Sequence, residues 1–370
     1  MGAVWKSSPM QIETRPSASP IWTNCALAPR LIASVPEQPE SDPAREGTCA
    51  AWVAEMVLRG ERVDCKTMVG EAHANGWVVD LAMAYYIQKY VNMIRERGGE
   101  IDVERHIRLN DHIQGTADAI GAFADGVIIV DDLKYGYEIV EPYSPQLAIY
   151  AGGMLRYLTA RNHRISKVTL GIYQPRAFHP SGIYRTATFY PEDLMVRVRE
   201  IEAAAVRAHS PAAIATPGKH CRYCRGASLC SAVTHSLYDA HAVMFNGEQR
   251  DMTPDELRKE LEFLDVTEAM LKSRKDAVNA EASARSDAGE QIPGWMRQRG
   301  YGQRRWTVGK ETVKLVTGID PTADKMITPA QLETKGADPE LVKAMTETPR
   351  TAAKWKPVPQ NFYAAAFGET

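Results

Sequence analysis

The chain has 370 residues, enough for one large core with appendages or for two domains. Its 44% hydrophobic and 24% charged residues are ordinary for a soluble globular protein, and a net charge of -2 leaves any DNA-binding surface to a local patch rather than to overall charge. No apolar run of about 18 residues or longer is present and the N-terminus lacks the apolar stretch of a secretory signal, so a cytoplasmic protein that does not enter membranes is expected, whose six cysteines serve as metal ligands or free thiols rather than disulfides.

Residues 1–20 read as a flexible arm and Pro36–Pro43 as a loop. Ala44–Arg59 carries the three-to-four spacing of an amphipathic helix, closed by Gly60. A second helix is expected from Val78 to Arg97, stopped by Gly98-Gly99. Strand patterns follow: IDVERHIRLN, with Ile101, Val103, Arg105 and Ile107 on one face; DHIQGTADAIGAF; and VIIVDDLKYG, whose run of four apolar residues implies burial on both sides. PYSPQLAIYAGGMLRYLTARN is a helix opened by Pro145. KVTLGIYQPR and GIYRTATFYP are further strands, and PEDLMVRVREIEAAAVRAHS a helix. This order describes an α/β fold, a mixed central sheet flanked by helices. After Cys230 the composition shifts, with charged helical sequence from Thr253 to Gly289 and a short helix near Thr328–Lys335. The expected division is an arm over 1–20, a main domain over 21–240 and an extension over 250–370.

Asp118 ends the GTAD segment, and Asp132 and Lys134 end the VIIV strand. Alternation places the side chains of Asp132 and Lys134 on one side of the sheet. If the two strands are neighbours, the two aspartates converge, an unfavourable pairing unless a cation lies between them. Oxygen ligands of this kind suit magnesium or manganese. Such an ion polarises a phosphodiester and generates hydroxide, while Lys134 stabilises developing charge. The competing account is two acidic residues closing a strand before Gly136.

GTAD, a strand ending in DLK and a helix carrying QLAIY together resemble the RecB-like branch of the PD-(D/E)XK nuclease superfamily, over about residues 20–235. The resemblance implies a restriction-endonuclease-like core. It assigns Asp118 and Asp132 to magnesium or manganese binding, Lys134 to catalysis, and Gln146 and Tyr150 to a helix that faces the site and DNA. Spacing of four puts these last two on one helical face, which a simple packing pair would also explain. The family often has a G-x-x-x-H helix. Here Gly47 is followed four residues later by Ala51, so the histidine is missing. Glu46, Glu55, His73 and Glu104 are the candidate substitutes.

Cys221, Cys224 and Cys230 are spaced C-x2-C-x5-C, and Cys25 lies far upstream. Thiolates bind zinc and iron-sulfur clusters, and His220 offers zinc a nitrogen. One cysteine, a long nuclease insert and then three cysteines resembles the iron-staple nucleases of the AddB type. That resemblance implies a structural 4Fe-4S cluster held by Cys25, Cys221, Cys224 and Cys230, with Zn2+ the alternative. Such a staple closes a very long loop. Cys49 and Cys65 are expected to be free thiols.

Arg297, Arg299, Arg304 and Arg305 interleave with Trp295, Tyr301 and Trp306. The pattern suits phosphate contacts and base stacking on single strands, or a solvated β-hairpin. The charged helices are candidates for self-association into a homo-oligomer or for partner binding, although charge runs usually mark a solvated face. The tail resembles an uncharacterised phage and prophage group of the same superfamily. The resulting expectation is a metal-dependent DNA exonuclease acting with phage replication or recombination proteins in the host cytoplasm. The alternative is a DNA-binding accessory protein that keeps the fold and the cluster.

Overall fold

Five short strand-forming runs lie between Glu100 and Phe189, and they build one sheet. Residues 12–35, 40–246, 252–301, 305–306, 310–321, 328–334, 337–347 and 350–357 are described by the structure, a computed structural model. The strands β1 (Glu100–Arg108), β2 (Gln114–Ala122), β3 (Val127–Leu133), β4 (Lys167–Tyr173) and β5 (Tyr184–Phe189) lie in that order across the sheet. Neighbours are antiparallel except β3 and β4, which are parallel. A parallel pair needs a crossover, and here it contains a helix.

In chain order the helices are α1 (Ser19–Trp22), α2 (Ala28–Ala33), α3 (Asp42–Leu58), α4 (Leu81–Glu96), α5 (Pro145–Thr159, the crossover), α6 (Pro191–His209), α7 (Ser231–Asn246) and α8 (Pro254–Asp287). α5 and α6 bury Leu147, Met154, Leu194 and Val198 with Ile120, Ile128 and Val130 of the sheet. α3 and α4 bury Val53, Met83, Ile87 and Tyr90 with Ala119 and Leu133 from the opposite face. The result is helix, sheet, helix in three layers, the mixed α/β arrangement expected.

Particular expectations changed. Ile101, Val103 and Ile107 do not share one face. Ile101 packs with the α3–α4 core and Ile107 with the α5–α6 core. Between them Glu104 adopts a left-handed backbone, φ +51°, which breaks the alternation. In VIIV only Ile128 and Val130 are fully buried, while Val127 and Ile129 are half-buried. Part of the stretch read as an arm is packed. Residues 1–11 lie outside the described residues, but Thr14, Ser19 and Trp22 are buried. Thr14 Oγ1 donates to the His112 carbonyl (2.6 Å) and Trp22 Nε1 to the Arg15 carbonyl (2.9 Å).

The chain divides into two units, Met1–Lys275 and Asp276–Thr370, later than the boundary expected between residues 240 and 250. Side chains explain the shift. Val266 and Met270 of α8 pack with Cys221, Cys230 and Val233, Asp265 pairs with Lys219, and Arg274 donates to the Ala227 carbonyl at 3.3 Å. The second unit holds β6 (Trp295–Tyr301), β7 (Arg305–Trp306), α9 (Lys310–Thr317), α10 (Pro329–Thr334), α11 (Pro339–Ala344), β8 (Thr346–Glu347) and β9 (Arg350–Pro357). Its core is Val313, Leu332, Ala337, Val342 and Met345. β6 pairs with the distant β9 and β7 with β8, so the arginine-rich segment is not a local hairpin. Among the described residues no helix is long and apolar enough to cross a membrane.

Candidate functional site

β2 and β3 are hydrogen-bonded only from Ala119 opposite Asp131 to Ala122 opposite Ile128. Beyond that point the strands part, and Asp118 enters the gap, its Oδ2 accepting the Leu133 N–H at 2.8 Å. Asp132, 1% exposed, lies across the opening. Lys134, one residue past the end of β3, folds back on it, with Nζ 3.1 Å from Oδ1 and 2.8 Å from Oδ2. Gln146 bridges the pair. Its Nε2 donates to Asp132 Oδ1 and its Oε1 accepts from Lys134 Nζ, both at 3.2 Å. Ser144 and Pro145 start α5, which sets Gln146 in its first turn and the buried Tyr150 one turn later.

The electrostatics mark a strained site. Burial, then repulsion by Asp132, pushes the Asp118 carboxyl up to about 8, against Lys134 and the Leu133 N–H. Burial works to discharge Lys134, but Asp132 and Asp118 outweigh it and raise its pKa. Burial also raises the Tyr150 phenol, opposed by its hydrogen bond to Gln146. Asp132 Oδ2 is buried without a hydrogen-bond partner despite its closeness to Nζ. Two buried carboxylates, one of them driven toward its neutral form by burial and by the other, are a donor pair that a divalent cation would satisfy.

Ala51 lines a narrow cavity with Glu55, Tyr90, Glu104 and Asp118. Glu55 holds Arg59 at 3.0 Å. The Glu104 carboxyl is raised by burial and then by Glu55, with Arg59 opposing. The other two candidates are engaged elsewhere. Glu46 pairs with Arg176 at 2.6 Å, while His73 packs on Trp52 and accepts the Asn75 N–H at 3.2 Å.

Cys25, Cys221, Cys224 and Cys230 all line one small cavity, together with His220. Cys25 Sγ accepts the Thr216 N–H (3.5 Å) and Cys221 Sγ the Gly218 N–H (3.3 Å). Burial, then other influences including the neighbouring cysteines, raises Cys221 and lifts Cys224 to about 12. His220 Nε2 is 2.9 Å from the Thr216 carbonyl. Among the described residues no three His, Cys, Asp or Glu side chains are gathered tightly enough for a single ion. Cys49 and Cys65 are buried in the α3–α4 core as free thiols.

Of the basic segment, Arg304 lies outside the described residues, as do the side chains of Arg299, Arg305 and Trp306. Arg297 pairs with Asp287 at 2.7 Å and Trp295 is 48% exposed.

Sequence reasoning gave Asp131 no role apart from Asp132. It points to the other face, where Arg97 and Tyr184 hold it, Tyr184 Oη donating to Oδ1 at 3.0 Å. A Cβ on Gly171 would collide with that carboxylate. Also unread were His106, Gln114 and Thr116, whose only signal is polar alternation at strand ends.

A family model described as a protein of unknown function (DUF2800) matches residues 14–356. The chain belongs to that family. The match spans both the carboxylate centre and all four cysteines. No curated protein matches its sequence. Among solved structures, one named "Putative exonuclease", from Eubacterium rectale, aligns with 69% of this DUF2800 chain and 97% of its own, at 11% identity and a TM-score of 0.34. Another, SSO0001, aligns with 56% of this chain and 94% of its own, at 17% identity and a TM-score of 0.24. Neither likeness is close enough to bear on activity, which is read from the residues themselves.

Proposed function

We propose that the protein is a metal-dependent DNA nuclease, working as an exonuclease in phage or mobile-element DNA processing. The observation that carries the reading is the convergence of Asp118 and Asp132 with Lys134 and Gln146 where β2 and β3 part. Asp118 and Asp132 would hold magnesium or manganese. A bound ion of that kind polarises the phosphodiester and lowers the pKa of a water nucleophile. Lys134, kept charged by two carboxylates, neutralises charge developing on phosphate oxygens. Gln146 fixes Lys134 and Asp132 relative to each other, and Tyr150 supports Gln146 from the next turn.

Cys25, Cys221, Cys224 and Cys230 would hold a 4Fe-4S cluster with a structural role. Thiolates around one zinc, at about 2.3 Å each, must converge closely. A four-iron cluster takes four cysteine ligands, and four cysteines line this one cavity. Cys221 and Cys224, whose thiols burial raises, with the neighbouring cysteines adding to it, would ionise on binding it.

Ala51 beside Asp118 favours one second reading, a DNA-binding accessory protein with weak or lost cleavage. Anaerobic purification, an iron and zinc assay, and incubation with linear DNA and Mn2+ separate the two. The nuclease reading expects about four irons per chain and DNA loss that Lys134→Ala reduces by about 100-fold or more. Cleavage surviving Lys134→Ala sinks the catalytic assignment, and iron without cleavage selects the accessory protein.

A further inference from the structure

An open groove of about 730 Å3 has Gln146 and Tyr150 in its wall and extends along the edge of the β1–β2 hairpin. On the hairpin side, His106 stands across the strands from Thr116, and Gln114 is the next outward-facing residue of β2. All three are exposed. The facing side is the Glu13–Ser17 segment, tied down by Thr14 to the His112 carbonyl at 2.6 Å. Two carboxylates lie along the groove, and each has its own cation: Glu13 pairs with Arg15 and Asp111 with Arg108, both at 2.5 Å. With those charges matched, imidazole, amide and hydroxyl groups remain to face a ligand. Such side chains, with arginine, recognise phosphate oxygens and sugars without reading bases. The volume falls in the range of about 300–1,000 Å3 that takes small organic ligands, suited to a short stretch of one strand and not to a duplex.

We propose that this groove binds the sugar–phosphate backbone of a single DNA strand next to the carboxylate centre, with His106, Gln114 and Thr116 as phosphate and sugar donors. The inference rests on DNA being the substrate of that centre. It places strand binding in the first unit rather than in the arginine-rich segment of the second.

The test uses the full-length protein with its metal content intact. Binding of a fluorescein-labelled oligothymidylate is followed by anisotropy in Ca2+, and Mn2+-dependent loss of linear DNA is measured alongside. Two variants are compared with the native chain: Gln114→Ala combined with Thr116→Ala, and Thr116→Trp, which fills the groove from an exposed position. The expected result is a Kd raised at least about tenfold in both, about 1.4 kcal/mol, with unchanged melting temperature. Variants that bind as tightly as the native chain overturn the groove, whether or not DNA is cleaved. A native chain that cleaves DNA but does not bind the single strand also overturns it and leaves the nuclease reading standing. A native chain that binds, with weakened variants but no cleavage, supports the groove and removes the nuclease reading.

Discussion

Two adjacent aspartates have opposite tasks because a strand turns successive side chains to opposite faces. Asp131 is 2% exposed and held by Arg97 and Tyr184. Asp132 is equally buried but repels Asp118 and is held by Lys134 and Gln146. Asp131→Ala strands the Arg97 guanidinium and should cost about 3–5 kcal/mol in urea unfolding. Asp132→Asn should cost less, because the lost ion pair with Lys134 is offset by relief of the repulsion on Asp118, yet lower Mn2+ affinity by at least about tenfold in calorimetry. Equal losses of stability in the two variants would contradict this division. The same pair shows how far the residues could be read in advance. Spacing from GTAD to DLK located Asp118, Asp132 and Lys134 together. It could not show that Asp131 belongs to a separate ion pair, because Arg97 and Tyr184 reach it from distant parts of the chain. Nor could it tell that Glu46 and His73 are engaged elsewhere while Glu55 and Glu104 line the cavity of Asp118.

Among the elements, α5 connects the site to the core. Its first turn presents Gln146. Gly152 and Gly153 let it approach β1 and α6 so closely that a Cβ on either would collide with Val198 or Ile107. Farther along, Arg156 grips Glu202 of α6 through two contacts of 2.7 Å, and Asn110 adds a third at 2.9 Å. The Arg156 hydrogen bond holds the Glu202 carboxyl below its usual range, against some desolvation. A carboxyl lowered by folding contributes stability above its unfolded pKa, and that contribution is lost as pH falls through the folded one. Glu202→Gln should therefore destabilise the protein by up to about 1 kcal/mol at neutral pH, since the pair is partly exposed and screened. The difference from the native chain should shrink as pH falls through the carboxylate range. A difference that stays constant over that span would show that packing, not ionisation, matters at Glu202.

Across the whole molecule, the first unit is closed by contacts between its two ends. Gly226, in the loop that carries the three clustered cysteines, lies so close to Leu31 and Ile32 that a Cβ would strike backbone atoms. Cys25, just before α2, reaches the same cavity. A cluster there would cross-link segments almost two hundred residues apart. By loop closure, removing such a link costs about 4–5 kcal/mol. Cys25→Ser, or chelation of the metal from the native chain, should each lower stability by that order in chemical unfolding, with loss of iron in step. Unchanged stability after complete iron removal would mean that packing alone closes the unit.

Periodicity and motif order were enough for the five strands, the main helices, the cysteine spacing and the carboxylate-lysine set, because these depend on neighbours within a few residues along the chain. Which residues share a face of β1 was decided by one left-handed residue, Glu104, that no alternation pattern can foresee. The boundary near Lys275 came from side chains of α8 packing back on the cysteine loop. The pairing of β6 with β9 joins strands about fifty residues apart. Burial, ion pairing and cavity shape depend on contacts between distant segments, so only the tertiary structure could separate the two aspartates, gather the four cysteines and open the groove beside Gln146.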